Sequence, residues 1–282
     1  MGMRGLLLLM AVCTVCSVRA AEWRNLDEEH HLGGRMASSG YLLGKVVLVD
    51  RWGAKCPPCR ELLPQVEEIW RSFKGRQFVV LGGHCAGWGG AEQVKALIRE
   101  KNLTFPVYED AGLKFGEPEF DAIPFLYVVD ATGRIVYRGR EERTAREVIV
   151  NALTDLENPR DLAQWKRFLA FELENLPGLA YLRLTEFKKK FPAEAKEYAS
   201  QFKALSARQE VKQLAALVEF SRKARDTQKI GPKDNAKRQK LKSLIEGVIS
   251  KSKRLKDSSD PKVAQEAKNA LADLKWKLAA IK

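Results

Sequence analysis

The chain has 282 residues, of which 45% are hydrophobic and 30% charged, and this composition excludes a chain that is disordered throughout. The length suggests two domains or one domain with a large appendage, and no apolar run reaches the ~18–20 residues of a spanning helix, which excludes a multi-pass membrane protein. Residues 1–150 carry 20 Lys and Arg against 19 Asp and Glu, a net charge of +1, whereas residues 151–282 carry 29 against 17, a net charge of +12.

The first segment, Met1–Ala21, has the features of an export signal. Arg4 supplies a positive start, Leu6–Val12 begins an apolar run, and Val18 and Ala20 are small residues at the −3 and −1 positions of a cleavage site. We therefore predict a signal peptide over residues 1–21 that is cleaved near Ala20, and an exported protein that is periplasmic or extracellular. A permanent anchor is less favoured because the apolar run is short.

Five cysteines are present, and two of them, Cys13 and Cys16, lie in the predicted signal. A lipid anchor on either of these remains an alternative, although Val12 and Val15 stand where a small residue usually precedes a lipidated cysteine. Cleavage leaves Cys56, Cys59 and Cys85. Because an odd count of three does not build a disulfide framework, reactive chemistry is the better explanation for them.

Strand-like and helix-like patterns alternate from Leu42 to Arg138. Continuous apolar, β-branched runs predict buried strands, helical spacing of apolar residues predicts helices, and Asp130–Gly133 is a hairpin turn signal. The predicted order is β-α-β-α-β-β, with strands at 46–49, 78–81, 125–129 and 135–137 and helices at 57–73 and 91–101. This order predicts an α/β fold with a central mixed sheet flanked by helices.

After about Thr144 the strand signal vanishes and apolar residues recur at helical spacing. Ser258–Pro261 separates two late helical stripes and supplies a helix start, which predicts a hairpin of the last two helices. We therefore expect an α/β domain over residues 22–143, followed by a basic, all-α region over residues 144–282.

The pattern Cys56-Pro57-Pro58-Cys59 stands between a predicted buried strand and a predicted helix. A cysteine at a helix N-terminus faces unpaired backbone N–H groups and the positive end of the helix dipole, and both favour the nucleophilic thiolate. The prolines suit the first turn, where their missing N–H groups have no helical partner. The spacing predicts a reactive pair that closes a small disulfide ring.

These residues, with Asp50-Arg51-Trp52 before them, Pro64 after them and Ala122-Ile123-Pro124-Phe125 further on, resemble the thioredoxin superfamily. Within it, the chain is most similar to the exported TlpA/ResA-like thiol–disulfide oxidoreductases. The resemblance covers roughly residues 32–143 and leaves the helical tail outside. It implies a thioredoxin-like fold and an enzyme that exchanges dithiols and disulfides with protein substrates.

The resemblance also implies roles for single residues. Cys56 is the attacking thiolate and Cys59 the resolving thiol, while Asp50 is buried, has a raised pKa and moves the proton of Cys59. A cis-proline loop lies beside the disulfide and leaves a backbone edge free for a substrate chain. The implied substrate-binding residues are Trp52, Pro58, Ile123 and Pro124. Arg51, Lys55 and Phe125 depart from the residues usual in the family, which leaves the identity of the partners open.

A metal site or a purely structural role is the alternative for several of these residues. Cys56 and Cys59 form half of a zinc site only if two further ligands exist, and the adjacent His84 and Cys85 rarely both reach one metal. We therefore predict neither a metal nor an organic cofactor. Asp50 is a buried polar group without a catalytic role in the alternative reading. Cys85 follows the second strand, and it is either a small buried hydrophobe or an auxiliary redox cysteine.

Three classes of function remain to be weighed. An enzyme acting on protein thiols and disulfides is favoured, and the alternative is a thioredoxin-like docking or adaptor protein whose basic tail recruits a partner. A peroxiredoxin-type peroxidase is rejected, because no Pro-x-x-x-Thr/Ser-x-x-Cys pattern precedes Cys56. Nucleic acid is not an expected partner of an exported protein, so the basic tail favours an acidic protein or an anionic envelope surface. Whether the pair mainly reduces, oxidises or isomerises depends on its redox potential.

Overall fold

A computed structural model describes residues 20–224 and 234–281 of the chain. The predicted export signal, residues 1–21, therefore lies almost wholly outside the described residues.

The described residues form a central six-stranded sheet and a separate two-stranded pair. The sheet has the order β2-β5-β4-β3-β7-β8, in which β3 is parallel to β4 and β4 to β5 while the other neighbours are antiparallel. β1 and β6 form the separate pair. The strands are β1 (Trp23–Arg24), β2 (His31–Gly33), β3 (Val46–Trp52), β4 (Phe78–His84), β5 (Val107–Glu109), β6 (Gly112–Leu113), β7 (Phe125–Val129) and β8 (Ile135–Gly139).

Helices cover the sheet and then make up the rest of the described chain. Those of the first half are α1 (Ser39–Leu42), α2 (Pro57–Phe73), α3 (Ala91–Glu100) and α4 (Glu142–Glu157). Those of the second half are α5 (Leu162–Asn175), α6 (Pro177–Lys190), α7 (Ala199–Ala207), α8 (Gln209–Lys223), α9 (Asn235–Ser252) and α10 (Pro261–Ala280), with short 3₁₀ turns at Glu194–Tyr198 and Lys253–Asp257.

The central strand β3 is buried on both faces, and its side chains alternate between two cores. Val46, Leu48 and Trp52 pack in one core with residues of α2, α3 and α4. Val47 and Val49 pack in another, which includes residues of α1, β5 and β7. The mixed sheet between helical layers, followed by helices alone, confirms the predicted α/β, thioredoxin-like fold with an all-α C-terminal region.

The predicted elements match the structure most closely where the apolar pattern is longest. α2 and β7 have the predicted bounds, whereas β3 and β4 each continue three residues beyond the predicted apolar runs. β1, β2, β5 and β6 are two or three residues long and do not appear in the sequence-based order. Such short strands exist through pairing with neighbours, which local sequence does not encode.

The helix α4 starts two residues before the predicted domain boundary at residues 143/144. Its buried side chains Ala145, Ile149 and Leu153 belong to the core that also holds β3 and α2. The boundary itself stays a prediction, but this packing favours a position after α4, since a helix that fills a domain's core belongs to that domain.

The C-terminal helix α10 contacts the sheet domain on one side and the helices of the second half on the other. Asp273 accepts hydrogen bonds from the Tyr41 hydroxyl at 2.6 Å and from the Lys45 ammonium at 3.2 Å, both in the sheet domain. The Trp276 ring lies 6.4 Å from the ring of Trp70 on α2. The other side of α10 packs with α6, α8 and α9, so the tail is docked on the sheet domain rather than tethered to it.

Candidate active site

The segment between β3 and α2 carries the two cysteines, and residues 53–59 are called the redox loop below. Cys56 and Cys59 form a disulfide with an S–S distance of 2.11 Å and a Cα–Cα distance of 5.3 Å. Cys56 is the N-cap of α2, and its Sγ accepts the Cys59 N–H at 3.3 Å. Pro57 and Pro58 occupy the first turn of α2, as expected of residues that lack an N–H donor. The sulfur therefore lies at the positive end of a 17-residue helix.

The two cysteines are buried to a similar extent. Cys56 is 3% exposed and Cys59 is 1% exposed within the α2 layer of the core. Both have exposed sequence neighbours, Lys55 and Pro57 for Cys56, and Pro58 and Arg60 for Cys59. The feature that distinguishes Cys56 is its position as the N-cap of α2.

The loop before β7 lies beside the disulfide. The Ile123–Pro124 peptide bond is cis, as the resemblance implies. The Cys56 Sγ lies 3.8 Å from the Ile123 carbonyl oxygen, and both Ile123 and Pro124 are partly exposed. The structure thus brings two of the predicted substrate-binding residues to the predicted nucleophile, with Pro58 exposed in the same loop as the cysteine.

Asp50 lies in β3, on the face that carries Leu48 and Trp52 and packs towards α2. The residue is 1% exposed, and within the described part of the chain neither carboxylate oxygen has a hydrogen-bond partner. Burial raises the pKa of Asp50 to about 7, and the nearby charge of Arg51 offsets only part of that rise. The raised pKa that the sequence predicts is confirmed, and it leaves a carboxyl poised to exchange a proton near neutral pH.

Trp52 differs from its predicted place among the substrate-binding residues. Its side chain is fully buried and meets the His84 ring edge-on, with ring centroids 5.2 Å apart. A side chain without exposed surface makes no direct contact with a substrate. Trp52 instead supports the redox loop from beneath, at the position where β3 ends.

Cys85 is a free, buried thiol at the end of β4. Its N–H donates to the Trp52 carbonyl oxygen at 2.8 Å, so its backbone holds the loop after β4 next to the end of β3. Burial raises the pKa of the thiol, and the opposing charge of Arg51 offsets only part of that rise. A raised pKa disfavours thiolate, so the auxiliary redox role remains a prediction without support from its surroundings.

Arg51 is a buried anchor whose contacts sequence reasoning missed. Its guanidinium donates to the Ala111 carbonyl oxygen at 2.7 Å and to Asp110 at 3.2 Å, and it lies 3.7 Å from Glu117. These contacts tie β3 to the segment around β6. The sequence marked Arg51 as a departure from the family, but nothing in it named the partners.

Trp88 is the second residue that sequence reasoning missed. It lies in the loop of residues 85–90, called the Trp88 loop, and is 47% exposed. The Lys55 N–H donates to the Trp88 carbonyl oxygen at 2.8 Å, which joins this loop to the redox loop. The only signal in the sequence is an aromatic residue in a run of glycines after a strand.

Residues 20–224 and 234–281 show neither a cluster of metal ligands nor a helix suited to a bilayer. No group of three or more His, Cys, Asp or Glu side chains in these ranges is arranged to hold a metal ion. None of the helices in these ranges is both long and apolar enough to cross a bilayer.

Comparison with known proteins addresses the region that contains this site. Residues 19–138 match the model of the AhpC/TSA family. This part of the chain is similar to that family, and its fold is thioredoxin-like. Its curated relatives include the thioredoxin-like protein YneN of Bacillus subtilis, 28% identical over 104 residues that cover 37% of this chain and 61% of YneN. Thiol-disulfide oxidoreductase ResA of Bacillus cereus is 26% identical over 118 residues, covering 42% of this chain and 67% of ResA.

The chain therefore spans about three fifths to two thirds of the length of these relatives. Among solved structures, a thiol-disulfide isomerase from Corynebacterium glutamicum aligns with a TM-score of 0.40 and 24% identity, covering 48% of this chain and 97% of that one. The helical second half of the present chain lies outside the family match.

The residues before Cys56 decide whether the site can be that of a peroxiredoxin-type peroxidase. A peroxiredoxin frame ending at Cys56 needs proline at position 49 and threonine or serine at position 53. The chain has Val49, buried in β3, and Gly53 at these positions. The site therefore keeps a CxxC pair and lacks the frame of a peroxidatic cysteine.

Proposed function

We propose that the protein is a thiol–disulfide oxidoreductase whose Cys56–Cys59 pair reacts with protein thiols and disulfides through a mixed disulfide at Cys56. The observation that carries the proposal is the disulfide at the start of α2, with Cys56 as the helix N-cap and as acceptor of the Cys59 N–H. A helix N-terminus stabilises the thiolate that leaves when this disulfide opens. Similarity to relatives named as a thioredoxin-like protein and a thiol-disulfide oxidoreductase supports this chemistry.

In the reducing direction the reaction has two steps. The Cys56 thiolate attacks one sulfur of the substrate disulfide, which forms the mixed disulfide and releases the other substrate sulfur as a thiolate. Cys59 then loses its proton and attacks the Cys56 sulfur, which releases the second substrate thiolate and restores the Cys56–Cys59 disulfide. Two electrons pass to the substrate, and the oxidising direction is the reverse.

Asp50 is the proposed acceptor of the proton that Cys59 loses. Its carboxyl faces the layer that holds Cys59, has no partner among the described residues and has a pKa of about 7. Such a group takes up and returns a proton near neutral pH with little cost in either direction. In this scheme Ile123 and Pro124 contact the substrate chain, Pro58 borders it, and Cys85 takes no part.

The experiment that tests the proposal combines turnover with trapping. The chain without residues 1–20 should reduce insulin disulfides when dithiothreitol supplies electrons, and Cys56→Ala should abolish this activity. Cys59→Ala should accumulate a mixed disulfide on Cys56, visible by non-reducing mass spectrometry. Absence of both turnover and adduct contradicts the proposal. If turnover is observed, titration of the Cys56–Cys59 disulfide against glutathione gives the direction of the wild-type reaction.

The titration against glutathione also distinguishes an oxidoreductase from a docking or adaptor protein. The low exposure of both cysteines, 3% and 1%, is the observation that favours an adaptor with a static disulfide. An adaptor keeps its Cys56–Cys59 bond under conditions in which an oxidoreductase equilibrates with glutathione within the assay.

Export and an anionic partner of the tail complete the proposal. We propose that residues 1–21 direct export and are removed near Ala20, which the N-terminal mass of the protein recovered outside the cytoplasm would show. The 3₁₀ turn and the end of α9 expose Lys251, Lys253, Arg254 and Lys256, a cluster suited to an acidic protein or an anionic envelope surface. Retention on anionic but not on zwitterionic vesicles, lost in salt, would support the envelope surface.

A further inference from the structure

The exposed indole of Trp88 packs directly against the redox loop. Gly53 allows this approach, because a Cβ at that position would lie 2.4 Å from the Trp88 Cβ and 3.0 Å from the Ile123 Cδ1. Gly89 allows a second approach, since a Cβ there would lie 2.9 Å from the Ala54 Cβ. The side chains of Trp88 and Ile123 therefore both lie close to Gly53. Gly53 is two residues before Lys55, whose N–H donates to the Trp88 carbonyl oxygen.

The Trp88 loop holds this indole in one place. The Trp88 N–H donates to the Cys85 carbonyl oxygen at 3.2 Å, and the Cys85 N–H donates to the Trp52 carbonyl oxygen at 2.8 Å. Gly87 and Gly89 have φ values of +85° and +131°, which side-chain-bearing residues rarely adopt. Hydrogen bonds at the N–H and the carbonyl oxygen of Trp88 therefore hold its backbone beside the redox loop.

Trp52 places its ring in the core and has no exposed surface. Trp88 instead leaves 47% of itself in solvent while its Cβ end contacts Gly53. Ile123, also partly exposed, carries the carbonyl oxygen that lies 3.8 Å from the Cys56 sulfur. An apolar surface therefore continues from the Trp88 ring to the residue next to the nucleophile.

We propose that Trp88 and Ile123 form an apolar platform that binds an aromatic or branched aliphatic side chain of the substrate polypeptide, next to its reacting cysteine. The proposal rests on the oxidoreductase function proposed above and names the class of substrate, which is a chain whose cysteine is flanked by large apolar residues. Large aromatic side chains contribute most of the affinity at protein contacts, and partial burial of an indole by an apolar partner is favourable.

The test compares three disulfides under the same dithiothreitol-coupled assay. Two are synthetic peptides with one internal disulfide, identical except that leucine flanks the reacting cysteine in one and serine in the other. The third is hydroxyethyl disulfide, which has no polypeptide to bind. The variants are Trp88→Ala, Trp88→Phe and, as a matched control, Leu244→Ala, which removes an exposed apolar side chain (51% exposed) from α9.

Trp88→Ala should lower kcat/KM for the leucine peptide about tenfold, mainly through KM, because truncation of an apolar contact at an interface removes binding energy of this order. Turnover of the serine peptide and of hydroxyethyl disulfide should change less than about twofold. Trp88→Phe should restore most of the loss, and Leu244→Ala should leave all three rates unchanged.

Equal loss on both peptides, or no loss on either, overturns the platform. Loss of hydroxyethyl disulfide turnover by Trp88→Ala also overturns it, since Trp88 then maintains the redox loop instead of binding substrate. A wild-type protein that turns over none of the three disulfides overturns the proposed function itself. The failure of the platform and the failure of the function are thereby distinguishable.

Discussion

Two buried carboxylates, one in each half of the molecule, have different surroundings. In the helical half, Glu172 on α5 is 2% exposed and accepts two hydrogen bonds from the Arg183 guanidinium, at 2.7 and 2.8 Å. In the sheet half, Asp50 is 1% exposed and its oxygens have no partner among the described residues. A paired charge belongs to the framework, whereas an unpaired buried one stores free energy, which proteins do mainly where chemistry uses it.

The same contrast extends to the basic charge. The sheet half contains the candidate chemistry with a nearly balanced charge, whereas the helical half carries the excess of lysine and arginine and contains no cysteine or histidine.

The packing of α4 predicts that this helix belongs to the sheet half. We expect a fragment of residues 22–143 to be unfolded, because it loses the buried Ala145, Ile149, Leu153 and Leu156 from the core. Each large apolar side chain contributes about 1.5–3 kcal/mol, and their sum is comparable to the total stability of a domain. A fragment of residues 22–160 should melt cooperatively and retain insulin reductase activity. Circular dichroism melts of both test this, and a folded, active 22–143 fragment would contradict it.

Removal of the paired carboxylate should be costly. Glu172→Ala leaves the Arg183 guanidinium buried without its partner, and we expect a loss of about 3–5 kcal/mol in the free energy of unfolding. Glu174→Ala, on the exposed side of the same helix, is the control and should change stability by less than about 0.5 kcal/mol. Urea unfolding at pH 7 measures both, and similar values for the two variants would show that the Arg183 pair does not stabilise the fold.

Removal of the unpaired carboxylate should have the opposite sign and should depend on pH. The folded protein holds the Asp50 proton up to about pH 7, whereas the unfolded chain releases it near 3.8, so wild-type stability falls as pH rises between these values. Relative to wild type, Asp50→Ala should gain on the order of 3 kcal/mol from pH 4 to pH 8. Urea unfolding of the oxidised proteins gives this difference. A difference that stays constant with pH would refute the buried-carboxyl account.

The kinetic effect of the same change should be smaller. Without the Asp50 carboxyl, Cys59 loses its proton less readily, so we expect resolution of the mixed disulfide near pH 7 to slow by about 10- to 100-fold. The first attack by Cys56 should change less, and the deficit should shrink towards pH 9, where thiols ionise unaided. Stopped-flow kinetics with a disulfide peptide separates the two steps. Wild-type resolution in Asp50→Ala near pH 7 would make Asp50 structural.

How far the sequence predicts the fold depends on what stabilises each element. The bounds of α2 and β7 follow from continuous apolar patterning, which is local. β4 continues through Gly82–His84 because it pairs with β3 and β5, and β5 itself exists only through such pairing. The periodicity of α4 indicates a buried face but not the core it fills. Pairing and packing partners are properties of the folded chain, so local patterns leave them open.

The candidate site shows the same limit. Cys56, Cys59 and Asp50 are identified from spacing, strand context and resemblance, and the cis bond at Pro124 from resemblance alone. The burial of Trp52 depends instead on packing in the core with α2, and the exposure of Trp88 on how its loop packs on Gly53. Both residues are tryptophans beside a strand end, so composition and periodicity do not distinguish them.

We propose that Cys56 is the nucleophile of a reactive pair at the start of α2. Alkylation of the reduced protein by iodoacetamide across pH, with the modified cysteine identified by mass spectrometry, distinguishes Cys56 from Cys59. Cys56 should react with a midpoint well below ~8.5, the value of a free thiol, while Cys59 should not. Cys85, whose pKa burial raises, should react slowest and serves as the internal reference. Equal rates at Cys56 and Cys59 throughout the pH range would contradict the claim.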